Sequence, residues 1–191
     1  MTATERELTT KGASTRDRIV AAARVMLLAG GYDGLVLREL ADSLGITLGN
    51  LQYYFKTREA LALHVLGVEG ARDTALIEGL RETTDPMPAF RTVIRDMMAR
   101  YRGDSGRLLL MLTDLAQHHR SFEELYEHSY AAFYPAFEAL LAELRPGLEP
   151  AEVALRARII NALVEGSAFQ TTVGEEFFAR VLAEAEALAL A

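Results

Sequence analysis

The chain has 191 residues, half of them apolar and a quarter charged, which supports a sizeable core and excludes a disordered polypeptide. It has no cysteine, so disulfides, thiolate metal sites and cysteine nucleophiles are excluded. The net charge of −7 argues at first against nucleic acid. No apolar run reaches the length needed to span a bilayer, and the polar start MTATERELTTKGAST lacks the apolar centre of a signal peptide. A soluble cytoplasmic protein is the expectation.

In chain order, residues 1–14 read as a flexible tail. Ser14 and Thr15 offer an N-cap, with Ser14 and Asp17 resembling a capping box. Ile19, Ala22, Ala23, Met26 and Leu27 then recur at helical spacing until Gly30-Gly31. A short helix fits Leu37–Leu44 and stops at Gly45. Thr47 caps a third, Leu48–Phe55, whose inward pair is Leu51 and Phe55 at i, i+4. Thr57 caps a longer helix carrying Leu61, Val65, Val68 and Leu76. Asp85-Pro86 starts another, in which Phe90, Val93, Ile94, Met97, Met98 and Tyr101 form one face. RLLLMLTDLAQHH is apolar nearly all round and predicts a helix buried on most sides. Ser121 caps a long aromatic helix with Pro135 inside it, where a kink is expected. Residues 150–172 and a last helix with Phe177, Phe178, Val181, Leu182 and Leu188 complete the chain. No strand-like alternation or repeat occurs. The expected architecture is all-α with about nine helices, a helix-turn-helix head over 15–60 and a ligand-binding and dimerisation domain over 61–191.

Function concentrates in GITLGNLQYYFKTREAL, from Gly45 to Leu61. A helix, a turn at Gly45 and a second helix form the helix-turn-helix pattern, whose second helix enters the DNA major groove. With Leu51 pointing inward, Gly49 and Tyr53 point nearly opposite, flanked by Asn50 and Gln52. Asn and Gln pair with adenine edges, and a tyrosine ring reaches a thymine methyl or a phosphate. Thr47 and the amides it caps suit a phosphate. Arg38, Lys56 and Arg58 stand where they can grip the backbone or a base edge. Charge fits this placement: residues 1–58 hold eight basic and six acidic side chains, whereas the remainder holds twelve basic and twenty-one acidic.

The segment from Ser14 to Leu61, with Gly31-Tyr32, Ala41, Leu44-Gly45-Ile46, Leu51, Phe55 and Glu59-Ala60-Leu61 in register, resembles the N-terminal domain of TetR-family transcriptional regulators. The resemblance implies a homodimer, a palindromic operator and a C-terminal domain that senses a ligand. It implies DNA contacts at Arg38, Thr47, Leu48, Asn50, Gln52, Tyr53, Tyr54 and Arg58. Three positions depart from the family pattern. Val36 stands where Ser or Thr usually caps helix two, Leu48 where Lys is common, and Gln52 where Tyr is common. Helix three therefore has no Lys or Arg, which moves weight from phosphate contacts to base edges.

In the C-terminal part, Met97, Met98, Tyr101, Met111, Tyr130, Phe133, Tyr134 and Phe137 are either core or the lining of an adaptable apolar pocket. Leu115, and Phe169 on the next helix, join the candidate lining, and His118, Asn161 and Glu165 are candidate orienting groups, the last two interrupting the apolar content of that next helix. His118-His119 with Asp114 is too small a set for a metal site. No nucleophile elbow, phosphate loop or carboxylate pair appears, so neither cofactor nor catalysis is expected. Gly166, Ser167 and Ala168, with the final helix, fit a four-helix dimer interface. The expectation is a repressor released from its operator by a small, mostly apolar ligand. The alternative is an all-α small-molecule-binding protein or enzyme with a vestigial DNA-binding head.

Overall fold

A computed structural model describes residues 3–170 and 172–191, with side chains from Thr15 onward. The described residues form nine helices and no strand: α1 (Ala3–Gly30), α2 (Leu37–Ser43), α3 (Leu48–Tyr54), α4 (Arg58–Thr83), α5 (Pro86–Tyr101), α6 (Asp104–Ala116), α7 (Arg120–Leu144), α8 (Pro150–Ser167) and α9 (Glu175–Leu190). The chain divides into two compact units, Met1–Val68 and Glu69–Ala191, with the division inside α4. The expected tail, residues 1–14, lies outside the side chains described. Ser14 and Thr15 fall within α1 and do not open it.

In the first unit, Ile19, Ala23 and Leu27 of α1 are fully buried with Leu35, Leu40, Leu51, Leu61 and Leu66. Gly31 and Gly45 carry the turns after α1 and α2 at φ of 67° and 66°. That left-handed conformation costs an L-residue roughly 1–2 kcal/mol. The Gly45 turn is further held by Arg18, which donates from Nη2 to the Leu44 carbonyl at 3.2 Å. This is a cation at a helix C-terminus, where the helix dipole favours it.

In the second unit α5 buries the expected stripe, Phe90, Val93, Ile94, Met97, Met98 and Tyr101. Phe90 stacks on Phe137 of α7, centroids 6.2 Å apart. α8 adds Val153, Ala157, Ile160 and Val164, and α9 adds Phe178, Val181, Ala185 and Ala189.

Three expectations are corrected. α6 buries one face, through Leu108, Leu112 and Leu115, while Leu110 is exposed. Composition alone hides this, because a run of leucines has no polar side to mark the outward direction. α7 starts at Arg120, so Ser121 lies in its first turn and does not cap it. α8 ends at Ser167, short of the expected 172, and Phe169 lies beyond it. The chain continues through Pro135 inside α7.

The two glycines beside the turn give opposite predictions. Gly45→Ala should destabilise the first unit by about 1–2 kcal/mol, because the new Cβ meets a left-handed backbone. Gly49 lies inside α3 with open space around an added Cβ, so Gly49→Ala should stabilise it by up to about 1 kcal/mol. Urea denaturation of the two variants checks both signs.

Candidate DNA-binding face and ligand cavity

The N-terminus of α3 is built as its sequence dictates. Thr47 is extended, and its Oγ1 accepts from the Asn50 amide at 3.1 Å. Thr57 repeats the device before α4, accepting from the Ala60 amide at 3.0 Å. Val36 makes no side-chain cap to α2.

Leu51 is fully buried and Phe55 nearly so. The opposite side of α3 is therefore turned outward. Tyr53 is 82% exposed, and Asn50, Gln52 and Gly49 are exposed beside it, whereas Leu48 and Tyr54 are half-buried. Tyr53 and Tyr54 meet edge to face at 5.2 Å, which steadies the exposed ring. Arg38, Thr47 and Lys56 are exposed. Arg58 is partly held: its guanidinium lies 4.2 Å from the Tyr32 ring and its Nη1 3.4 Å from Asp33.

Sequence reasoning passed over Arg16. Its guanidinium covers the Phe55 ring at 5.3 Å and its Nη2 lies 3.4 Å from His64 Nδ1. Burial, and then the Arg16 charge, lower the His64 pKa from its ordinary value. Arg16 thus braces the back of α3 and does not belong to the outward face.

The second unit carries a half-open cavity of about 280 Å³, near the small end of ligand pockets. Of the expected ligand residues, Tyr101, Tyr130, Phe133, Asn161, Glu165 and Phe169 line it. Met97 and Phe137 are fully buried and Leu115 nearly so, packing as core. Tyr134 sits behind the wall, stacked on Tyr130 at 5.6 Å. Met111 is half-buried away from the lining. His118 borders a separate shallow depression with His119, Arg120 and Glu123. Among the described residues no three His, Cys, Asp or Glu side chains group to hold a metal, and no helix is long and apolar enough to cross a membrane.

Asp73, Tyr126 and Ser129 also line the cavity and were not anticipated. Asp73 is buried, ion-paired with Arg100 and accepting from Tyr101 Oη at 2.5 Å. Its signal in the sequence was an acid on the inward side of α4, three residues before Leu76. Gly70 is legible only in three dimensions, since a Cβ there would come within 2.7 Å of Ser129 Oγ.

The polar end of the cavity centres on Glu165. Tyr130 Oη donates to its Oε1 at 2.6 Å. Burial pushes the Glu165 carboxyl above its ordinary pKa, against the opposing pull of hydrogen bonds from Tyr130 and Asn161. Tyr130 is itself raised, by burial and then by the Glu165 charge. Asn161 is almost completely buried, with its Nδ2 3.5 Å from Tyr134 Oη.

A helix-turn-helix head is thus joined to a separate helical unit that carries a cavity. Residues 19–65 match the model for bacterial regulatory proteins of the tetR family, and residues 86–191 match that for the BetI-type transcriptional repressor C-terminal domain. The chain therefore belongs to the TetR family and is a DNA-binding transcriptional regulator. No curated protein matches it. Solved structures share its fold at low identity. The transcriptional regulator from Pseudomonas aeruginosa PAO1 has a TM-score of 0.76 at 16% identity, covering 92% of this chain and 88% of that one. A TetR transcription regulator from Haloarcula marismortui ATCC 43049 has 0.76 at 17%, covering 93% and 97%. A transcriptional regulator from Saccharomonospora viridis, in complex with choline, has 0.72 at 15%, covering 90% and 96%.

Glu165 sets the sign of a pH effect. Its raised folded-state pKa means the folded chain holds that proton more tightly than the unfolded chain. The associated stability is full below the ordinary glutamate pKa and is lost as pH rises through the raised value. Glu165→Gln removes the half-buried charge and should raise Tm relative to wild type near pH 8. That advantage should shrink toward pH 4, and a Tm difference that does not change with pH would count against the burial argument.

Proposed function

We propose that this regulator is a homodimeric repressor that reads a palindromic operator with α3 and leaves it when a small organic ligand fills the cavity of the C-terminal unit. The observation that carries the DNA reading is the orientation of α3. Complete burial of Leu51 leaves Asn50, Gln52 and Tyr53 outward, behind an N-terminus organised by Thr47. Asn50 and Gln52 offer bidentate amides to adenine, and Tyr53 offers a ring to a thymine methyl. Leu48 and Tyr54 form the shoulders of this face. Arg38, Lys56, Arg58 and the Thr47-capped amides take phosphates, with Arg58 exchanging Asp33 for a phosphate oxygen.

A cavity mostly walled by apolar and aromatic groups, with one polar end, supports a small-molecule effector. One protein of the same fold holds choline, which supports this kind of effector without identifying the one used here. On α8, Leu155 and Ile159 are 52% and 44% exposed, and Ala162 and Gly166 continue the same exposed stripe. An apolar stripe ending in a glycine supports pairing with the same helix of a second copy, together with α9.

Gel shifts with the promoter region of its own gene test the DNA reading. Gln52→Ala should change preference by about 1–3 kcal/mol at one or two base pairs, whereas Arg38→Ala should weaken all sequences alike. Because α3 has no Lys or Arg, log affinity should fall shallowly with log salt; a steep slope would refute the emphasis on base edges. Ile159→Arg should turn the dimer into a monomer in light scattering and abolish the specific shift.

A further inference from the structure

The strongest unexplained feature is the unequal treatment of two carboxylates in one cavity wall. Asp73 is fully answered, by the Arg100 guanidinium and by Tyr101. Glu165 is not. Its described partners are a phenol and an amide, and no described cation pairs with it. Neither Lys, Arg nor His lines the cavity among the described residues. A carboxylate taken out of water needs a counter-charge or several strong donors.

Asn161 adds an independent requirement. Its Nδ2 is committed to Tyr134 Oη and to Glu165. That fixes the orientation of the amide and leaves Oδ1 as its remaining polar atom. Asn161 lines the cavity, its Oδ1 is buried, and no protein group donates to that oxygen. Buried acceptors in native proteins almost always find a donor. Around this pair stand Tyr126 and Tyr130, with centroids 4.7 Å apart, and Phe133. The faces of such rings favour positive charge.

We propose that the cavity binds a small protonated amine, a primary or secondary ammonium group on an apolar body, with N–H donors directed to Glu165 and to Asn161 Oδ1. The proposal rests on the reading of this cavity as the effector site. A carboxylate ligand would meet Glu165 with like charge. An alcohol supplies one donor and no charge. A trimethylated ammonium supplies charge and no N–H. A protonated primary or secondary amine meets both demands, and the leucine and aromatic wall takes its hydrocarbon part.

Isothermal titration of the full chain at pH 7.5 with n-hexylamine, n-hexanol, hexanoate and hexyltrimethylammonium tests this. Hexylamine should bind at least about tenfold more tightly than each of the others, as expected of a charge-assisted hydrogen bond in a buried site. The advantage over hexanol should disappear in Glu165→Gln and survive in Glu165→Asp, which keeps the charge. Equal binding of hexanol, hexanoate or the trimethylated compound would overturn the proposal, as would an unaltered preference in Glu165→Gln. The same samples in the operator gel shift separate the two readings. Specific DNA binding without hexylamine binding overturns the amine proposal alone. Hexylamine binding without operator release leaves the amine site standing and overturns the effector reading.

Discussion

The burial of Leu51 and Phe55 one helical turn apart is the constraint on which the DNA-facing geometry depends. Two apolar anchors at i, i+4 fix the rotation of α3 about its own axis. A seven-residue helix has too few internal hydrogen bonds to hold a direction by itself. Its orientation is a tertiary effect, set by Leu51 in the core and by Arg16 covering Phe55 from behind. The Gly45 turn and the Thr47 cap then determine where the helix starts. Everything outward on α3 follows from these inward choices, including the 82% exposure of Tyr53. An exposed tyrosine flanked by two amides gains little from folding, so a partner is the economical explanation of that face.

The second unit answers a different constraint. Most of its interior is apolar packing between α5, α7, α8 and α9, and such packing leaves little room for polar groups. Several of its polar side chains stand at the cavity wall, where Asp73 accepts from Tyr101 and Glu165 from Tyr130, and where Asn161 Oδ1 has no donor from the protein. Two kinds of wall coexist. Both carboxylate oxygens of Asp73 meet a group of the protein, from Arg100 and from Tyr101, whereas Glu165 has only the neutral Tyr130 and Asn161 beside it.

The head was legible in the sequence for a physical reason. Its turns require glycine at positive φ, its caps require a threonine hydroxyl, and its core pairs stand at fixed spacing, so each feature leaves a residue-level mark. The helices of the second unit were legible as helices for the same reason, through the 3,1,3,1 pattern of α5. The cavity was only half legible. Tyr101, Tyr130, Asn161 and Glu165 stood out as polar or aromatic groups in apolar stripes, and they line it. Met97, Leu115 and Phe137 carry the same signature and are core. Nothing in local spacing separates a side chain that packs against another from one that faces a void. Asp73 and Ser129 were missed because their place in the wall depends on the close approach at Gly70, a long-range contact without a local mark.

Release of an operator by a ligand requires that the ligand bind two states with unequal affinity. A half-buried carboxylate in the cavity, as the proposed amine site has, is well suited to this. Apolar burial varies smoothly with shape, whereas ion pairing varies steeply with distance. At an effective dielectric of about 20, lengthening a charge pair from roughly 3 to 4 Å costs about 1.4 kcal/mol, or a factor of about ten. That is within the coupling range of about 1–3 kcal/mol typical of allosteric proteins. A displacement of one ångström between Glu165 and an ammonium group is therefore enough to distinguish two states, with the hydrocarbon contacts hardly changed. Linkage makes the effect reciprocal: operator DNA must weaken the ligand by the same factor by which the ligand weakens the operator complex. The neutral partners of Glu165 matter here, since an arginine beside it would neutralise the carboxylate in both states and remove the lever.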